Sequence, residues 1–142
     1  MANATMRKFG YPDTLIKEFD HWVVLLRPAQ VTLGSLVLAA KTEATAYSDL
    51  PDEAFAEQSV AVRAIEKALR SFCDYERINY LMLMMVDPNV HFHVFPRFSE
   101  SKRWEEIEFP DGGWPGPPQL KLVVNLNGTQ MKALRNQLKP YF

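Results

Sequence analysis

The sequence predicts an α+β domain built on antiparallel strands, and three observations carry that reading. Asn89 to Arg97 alternates apolar and polar residues and contains two of the three histidines, the period-two pattern of a strand. Trp22 to Leu26 and Gly34 to Ala39 are two short apolar runs joined by a brief connection, which implies an antiparallel pair. Apolar residues Phe55, Val62, Ile65, Leu69 and Phe72 recur at helical spacing, which predicts one long amphipathic helix.

Taken in order, residues 1–14 read as a loosely held leading segment, broken by Gly10 and Pro12, and Leu15 to Phe19 as a short turn or helix. Trp22 to Leu26 is the first strand, broken by Pro28 to Thr32, and Gly34 to Ala39 the second. The stretch Ser48-Asp49-Leu50-Pro51-Asp52-Glu53 opens the helix, because proline suits its first turn and acidic groups complement the helix dipole there. The helix runs to about Cys73, with Glu66 and Arg70 placed to pair on its solvent side. Ile78 to Val86 reads as a strand with Met82, Met84 and Met85 filling the core, turned at Asp87-Pro88 into a hairpin with the histidine strand.

Phe98 to Pro118 holds four of the ten prolines, three glycines and two tryptophans, a density that excludes regular structure. Its tryptophans call for burial, so it is expected to be an ordered wrap, over the histidine face or elsewhere. Asn127-Gly128-Thr129 caps a closing helix to about Lys139, ended by Pro140. The 142 residues fit one domain, with 99–118 as its C-terminal wrap.

A formal charge of -1 with no Lys/Arg stripe excludes a nucleic-acid polymer as partner while leaving room for mononucleotides. The longest apolar run, Tyr80 to Val86, is far short of the roughly 20 residues of a membrane span. One cysteine excludes an internal disulfide and, with no apolar leader, predicts the cytoplasm. Cys73 itself reads as a small core residue or an unremarkable thiol, and His21 as a surface or satisfied core residue.

On the histidine strand, His91 and His93 point to one face with Cα atoms roughly 6.5 Å apart, and Val90, Phe92 and Val94 form the opposite, buried face. A face spent on imidazoles points to chemistry. Half of a metal site is one reading, but zinc takes about four ligands and no second set lies at a suggestive spacing, so nucleophilic chemistry ranks higher and no metal or cofactor is expected.

The segment Asn89-Val90-His91-Phe92-His93-Val94-Phe95-Pro96-Arg97 resembles the core motif of the histidine-triad (HIT) superfamily of nucleotide hydrolases and transferases. Gly34 to Leu38 followed by Lys41, and Asp49 to Glu53, resemble the strand and helix opening that precede that motif. The match covers about residues 15 to 98. It implies an antiparallel half-barrel of about five strands, a long packed helix, a C-terminal helix and usually a homodimer.

By the same resemblance His91 is the nucleophile that becomes a transient nucleotidyl-histidine, and His93 shapes the phosphate pocket. Arg97 is a candidate phosphate donor. The substrate class implied is a small nucleotide with a phosphoanhydride or phosphoramidate bond; a nucleotide- or phosphate-binding protein with little catalysis is the alternative. The sequence departs from the family pattern before the motif, where Met85 and Val86 occupy the stretch of the usual phosphate-binding Gly-rich loop and Gln-Ser pair, and at three single positions. Asn89 replaces the first histidine, Ser35 replaces a histidine after the glycine, and Arg27 stands where an acidic or amide residue usually meets the ribose. Asn89 is expected to position the nucleophile, and Arg27 and Ser35 to contact substrate.

Overall fold

The computed structural model describes residues 2–142. A short helix, α1 (Ala4–Lys8), opens it, followed by strands β1 (Leu15–Glu18), β2 (Trp22–Leu26), β3 (Ala29–Gln30) and β4 (Leu36–Ala40). The long helix α2 (Asp52–Cys73) comes next, then β5 (Arg77–Leu81), β6 (His91–Arg97), β7 (Lys102–Trp104), β8 (Ile107–Phe109) and β9 (Val124–Asn125). Helix α3 (Gly128–Leu138) closes the chain. Strands β1-β2-β4-β6-β5 form a five-stranded sheet in that order, every pairing antiparallel. The α+β class, the long helix, the C-terminal helix and the hairpin between β5 and the histidine strand are as the sequence predicts.

Pleating sorts the side chains of the central strands onto two faces. Trp22, Val24, Leu26, Leu36, Leu38 and Val94 pack in one core with Ile65 and Leu69 of α2 and Leu134 and Leu138 of α3. Trp22 Nε1 also donates to the carbonyl of Ala54 at 2.7 Å, tying sheet to helix. Val23, Leu25, Val37 and Ala39 point the other way, and Met6 of the N-terminal segment lies on them.

That second layer corrects the expectation of a loose N-terminus. Asn3 caps α1 by accepting from the Met6 amide and donates from Nδ2 to the carbonyls of Ala40 and Thr42. The covering explains why β2 and β4 are apolar throughout instead of alternating: both of their faces are buried.

Other boundaries moved for physical reasons. Leu15–Glu18 is an edge strand, because it pairs with β2. The buried side of α2 is formed by Ala54, Ala61, Ile65, Ala68, Leu69 and Cys73, so close packing on the sheet uses alanines, while Phe55 turns out onto Tyr47. Glu66 accepts from the Tyr80 hydroxyl instead of pairing with Arg70, whose guanidinium lies over Tyr75. Strand β5 stops at Leu81; Met85 and Val86 are 86% and 83% exposed, so Met85 is no core filler.

The Pro/Gly/Trp-rich stretch does contain regular structure. Its β7–β8 hairpin turns at Glu105 and Glu106, both with positive φ. Trp104 joins the helix-side core and donates to Gln137 of α3, Asp111 and Gly116 hold Arg97 at the far end of β6, and no residue of the stretch lines the cavity at the histidines. Asn127 forms a capping box with Gln130 at the start of α3.

Candidate functional site

His91 and His93 leave β6 on the side away from α2, beside Ala39 and Val37 of β4. Their rings meet edge to face with centroids 5.1 Å apart, and Phe9, just beyond α1, lies 5.6 Å from the first and 5.5 Å from the second. On the other side of the strand Val90 and Val94 are buried as predicted, whereas Phe92 is only half-buried, against Trp22 and Tyr47.

The rings line a cavity of about 260 Å³ with Phe9, Arg27 and the loop 83–87. Leu83, Met85 and Val86 give its rim an exposed apolar edge. Lys8 and Asp87 also line it, paired with each other at 3.2 Å.

The state of each imidazole follows from its partners. His91 Nδ1 lies 2.7 Å from the backbone oxygen of Asn89. A carbonyl only accepts, so Nδ1 carries a proton, and in the neutral ring Nε2 keeps the lone pair. His93 Nδ1 is buried with no partner among the described residues. Burial pushes the His93 pKa down to about 4, helped by the nearby charge of Arg27 and, when it is protonated, of His91, so the ring is neutral at neutral pH.

Asn89 sits beside the histidines, but its side chain serves another purpose. Oδ1 accepts from the Thr5 amide and hydroxyl at 3.2 and 3.0 Å, and Nδ2 donates to the Glu43 carbonyl at 3.1 Å. The Asn89 amide donates in turn to the Thr5 hydroxyl. Only the main chain of Asn89 supports His91.

The remaining sequence candidates divide. Arg27 reaches the cavity, its guanidinium 5.7 Å from the Phe95 ring centre, and the Phe95 ring lies parallel to His93 at 6.0 Å. Burial lowers the Arg27 pKa from its ordinary value. Ser35 is fully buried and exchanges hydrogen bonds with the backbone of Thr32, so the structure does not bring it to the cavity. Arg97 shares the histidine face of β6 but is 4% exposed and held by Asp111, Asn79 and the Gly116 carbonyl.

Sequence reasoning missed Thr5 and Phe9, which the fold brings more than 80 residues back to the histidine strand. It also missed Gln30, whose amide clips the 30–35 turn by bonding the backbone of Arg27, Gly34 and Ser35. The one signal for the first two was the unbroken apolar character of β2 and β4, which demands a cover on both faces. Among the described residues no group of three or more His, Cys, Asp or Glu is placed to hold a metal ion. Likewise, no described helix is long and apolar enough to cross a membrane. Cys73 is buried, with its thiol pushed up to about 12 by desolvation, a core residue with no nucleophilic character.

Comparison with solved structures places this arrangement. A histidine triad protein from Sinorhizobium meliloti superposes over 100% of this chain and 96% of its own, at TM-score 0.77 and 14% identity. One from Bradyrhizobium japonicum covers 99% and 96%, at TM-score 0.75 and 15% identity. This chain has the histidine-triad fold. The diadenosine triphosphate hydrolase of Plasmodium falciparum, solved with Cyclomarin A, shares that histidine-triad fold at TM-score 0.68 and 12% identity, over 92% of this chain and 76% of its own. No family model and no curated protein matches the sequence.

Proposed function

We propose that the protein is a divergent histidine-triad nucleotide hydrolase or nucleotidyl transferase that cleaves a phosphoanhydride or phosphoramidate through His91. The observation that carries this is the bond from His91 Nδ1 to the Asn89 carbonyl, which leaves Nε2 as an unprotonated nucleophile on a ring lining the cavity. The Nε2 lone pair attacks the phosphorus, a P–N bond forms, and the bond to the leaving group breaks with its electron pair on that group. Water or an acceptor then displaces the histidine, which recovers its lone pair. The intermediate carries positive charge on the ring, and the Asn89 carbonyl stabilises it through the Nδ1 proton.

This support comes from the main chain, so it survives replacement of the first motif histidine by Asn89. Neutral His93 offers a hydrogen bond to the phosphoryl group, not a charge. The reading also carries a homodimer, which a monomer in sedimentation at micromolar concentration would contradict.

The test is hydrolysis of adenosine phosphoramidate, diadenosine polyphosphates and their guanosine counterparts by wild type and His91→Ala near neutral pH. Loss of about two decades or more in turnover is expected for removing a covalent nucleophile; equal turnover by the variant overturns the reading. One observation favours a binding protein with little catalysis: Ser35, Arg97 and the Asn89 side chain are all committed within the protein. Saturable nucleotide binding by a folded wild type with no turnover across the panel would decide for it.

A further inference from the structure

Arg27 carries a charge that no described residue balances. Its Nη1 donates to the Ala29 carbonyl at 2.7 Å, but its buried Nε has no partner. Among the described residues no carboxylate pairs with it, whereas the other cations near the histidine face are spent: Lys8 on Asp87 and Arg97 on Asp111. A half-buried guanidinium whose Nε is withdrawn from water without an anion is costly, and an incoming anion recovers part of that cost.

The position of Arg27 is fixed. Its amide donates to the Ser35 carbonyl and its own carbonyl accepts from Gln30, so the residue continues β2 on the histidine side of the sheet. From there the groups run in a row: guanidinium to Phe95 ring 5.7 Å, Phe95 to His93 6.0 Å, His93 to His91 5.1 Å. About 13 Å of strand separates the backbone of His91 from that of Phe95. Register sets Arg27 level with Phe95, four residues along β6 from His91, and both line one cavity, so a ligand bonded to His91 meets Arg27 with a group further along it.

We infer that Arg27 is the receptor for a second phosphoryl group on the same ligand, distant from the one that His91 attacks. This rests on the nucleotide reading of the His91 site and narrows its substrate to nucleotides bearing two separated phosphoryl groups. The second group is either a phosphate on the sugar or the far end of a polyphosphate chain; both present the same non-bridging oxygens to the guanidinium fork.

Direct binding by calorimetry tests this without turnover. The probes are adenosine 5′-monophosphate, adenosine 3′,5′-bisphosphate and adenosine 5′-triphosphate, against wild type, Arg27→Gln and Arg27→Lys. In wild type one of the latter two probes binds about tenfold more tightly than the monophosphate, as a charge-assisted bond to guanidinium requires. That advantage falls below about threefold in Arg27→Gln and is intermediate in Arg27→Lys. The probe that gains identifies the source of the second phosphate. If the monophosphate binds wild type and neither other probe gains, or if the gain persists in Arg27→Gln, the inference is overturned while the nucleotide reading stands. Should Arg27→Gln fail to fold, an undiminished gain in Arg27→Lys overturns it. If no probe binds wild type at millimolar concentration, the nucleotide reading fails and takes this one with it.

Discussion

Replacing Asn89 by alanine should release the N-terminal segment from the histidine face. The substitution removes an acceptor for two Thr5 donors and a donor to the Glu43 carbonyl, at a residue that is 6% exposed. The Thr5 hydroxyl rotates to other partners and water reaches the Glu43 carbonyl, but the buried Thr5 amide is left unpaired. At about 1–3 kcal/mol for that amide and about 1 kcal/mol for the lost bond to Glu43, the loss is on the order of 2–4 kcal/mol. What then holds the segment is Met6, worth about 2 kcal/mol, the two Asn3 bonds, worth about 1 kcal/mol each, and the contacts of Phe9 with the imidazoles and of Lys8 with Asp87. The loss is a large part of what holds the segment, so it opens locally more often while the sheet stays folded.

Amide hydrogen exchange measures this opening. The amides of Arg7, Phe9, Gly10 and Tyr11, which bond within the segment, should lose roughly one and a half to three decades of protection, and β2 and β4 none. A Thr5→Val variant should show the same pattern, and the pair should be strongly non-additive in a double-mutant cycle. Asn89→His should lose protection as well and gain no turnover, since the side chain at this position faces Thr5 and not the His91 ring. Unchanged protection in Asn89→Ala would refute the reasoning; so would higher activity in Asn89→His with the segment still closed.

Two further predictions concern buried charge. The Arg97–Asp111 pair is 4% and 1% exposed, so Asp111→Ala strands a guanidinium and should cost about 3–5 kcal/mol, roughly 10–15 °C in melting temperature; a loss under 3 °C would contradict it. Burial alone would raise the Asp111 carboxyl, but Arg97 and the amides of Phe98 and Gly113 hold it below the usual carboxylate value, so its contribution is complete above that value and fades only as pH falls below it. For His93 the folded pKa of about 4 lies below that of the unfolded imidazole. The unfolded chain takes up the proton first, and stability should therefore decline as pH falls from about 6.5 toward 4. His93→Asn should flatten that slope in chemical denaturation, and an identical slope in both proteins would remove the assignment.

Local patterning determined most of the frame. The period of Asn89–Arg97 fixed which side chains share a face, because a strand allows only two, and the cap at Asn127 fixed where α3 begins. The helix 52–73 was legible from its acidic start and apolar recurrence, although close contact with the sheet chose alanines over Phe55 for the buried side. Edge strand β1 was hard to read for a related reason: four residues carry too little pattern, and pairing with β2 decides their state. Residue types at His91 and His93 pointed to the site before any coordinates, since two imidazoles on one strand face have few structural uses.

Only the tertiary structure decided what each candidate touches. Hydrogen bonds between Thr5 and Asn89 span 84 positions, and the ion pair between Arg97 and Asp111 spans 14, distances at which sequence periodicity says nothing. Asn89, Ser35 and Arg97 resemble ligand-binding residues by position, yet the fold turns their polar atoms toward its own backbone and side chains. Arg27 it leaves unpaired beside the cavity. The amino-acid order sets which groups are available and on which face they stand; burial and pairing, which depend on the whole chain at once, set which of them remain free to act.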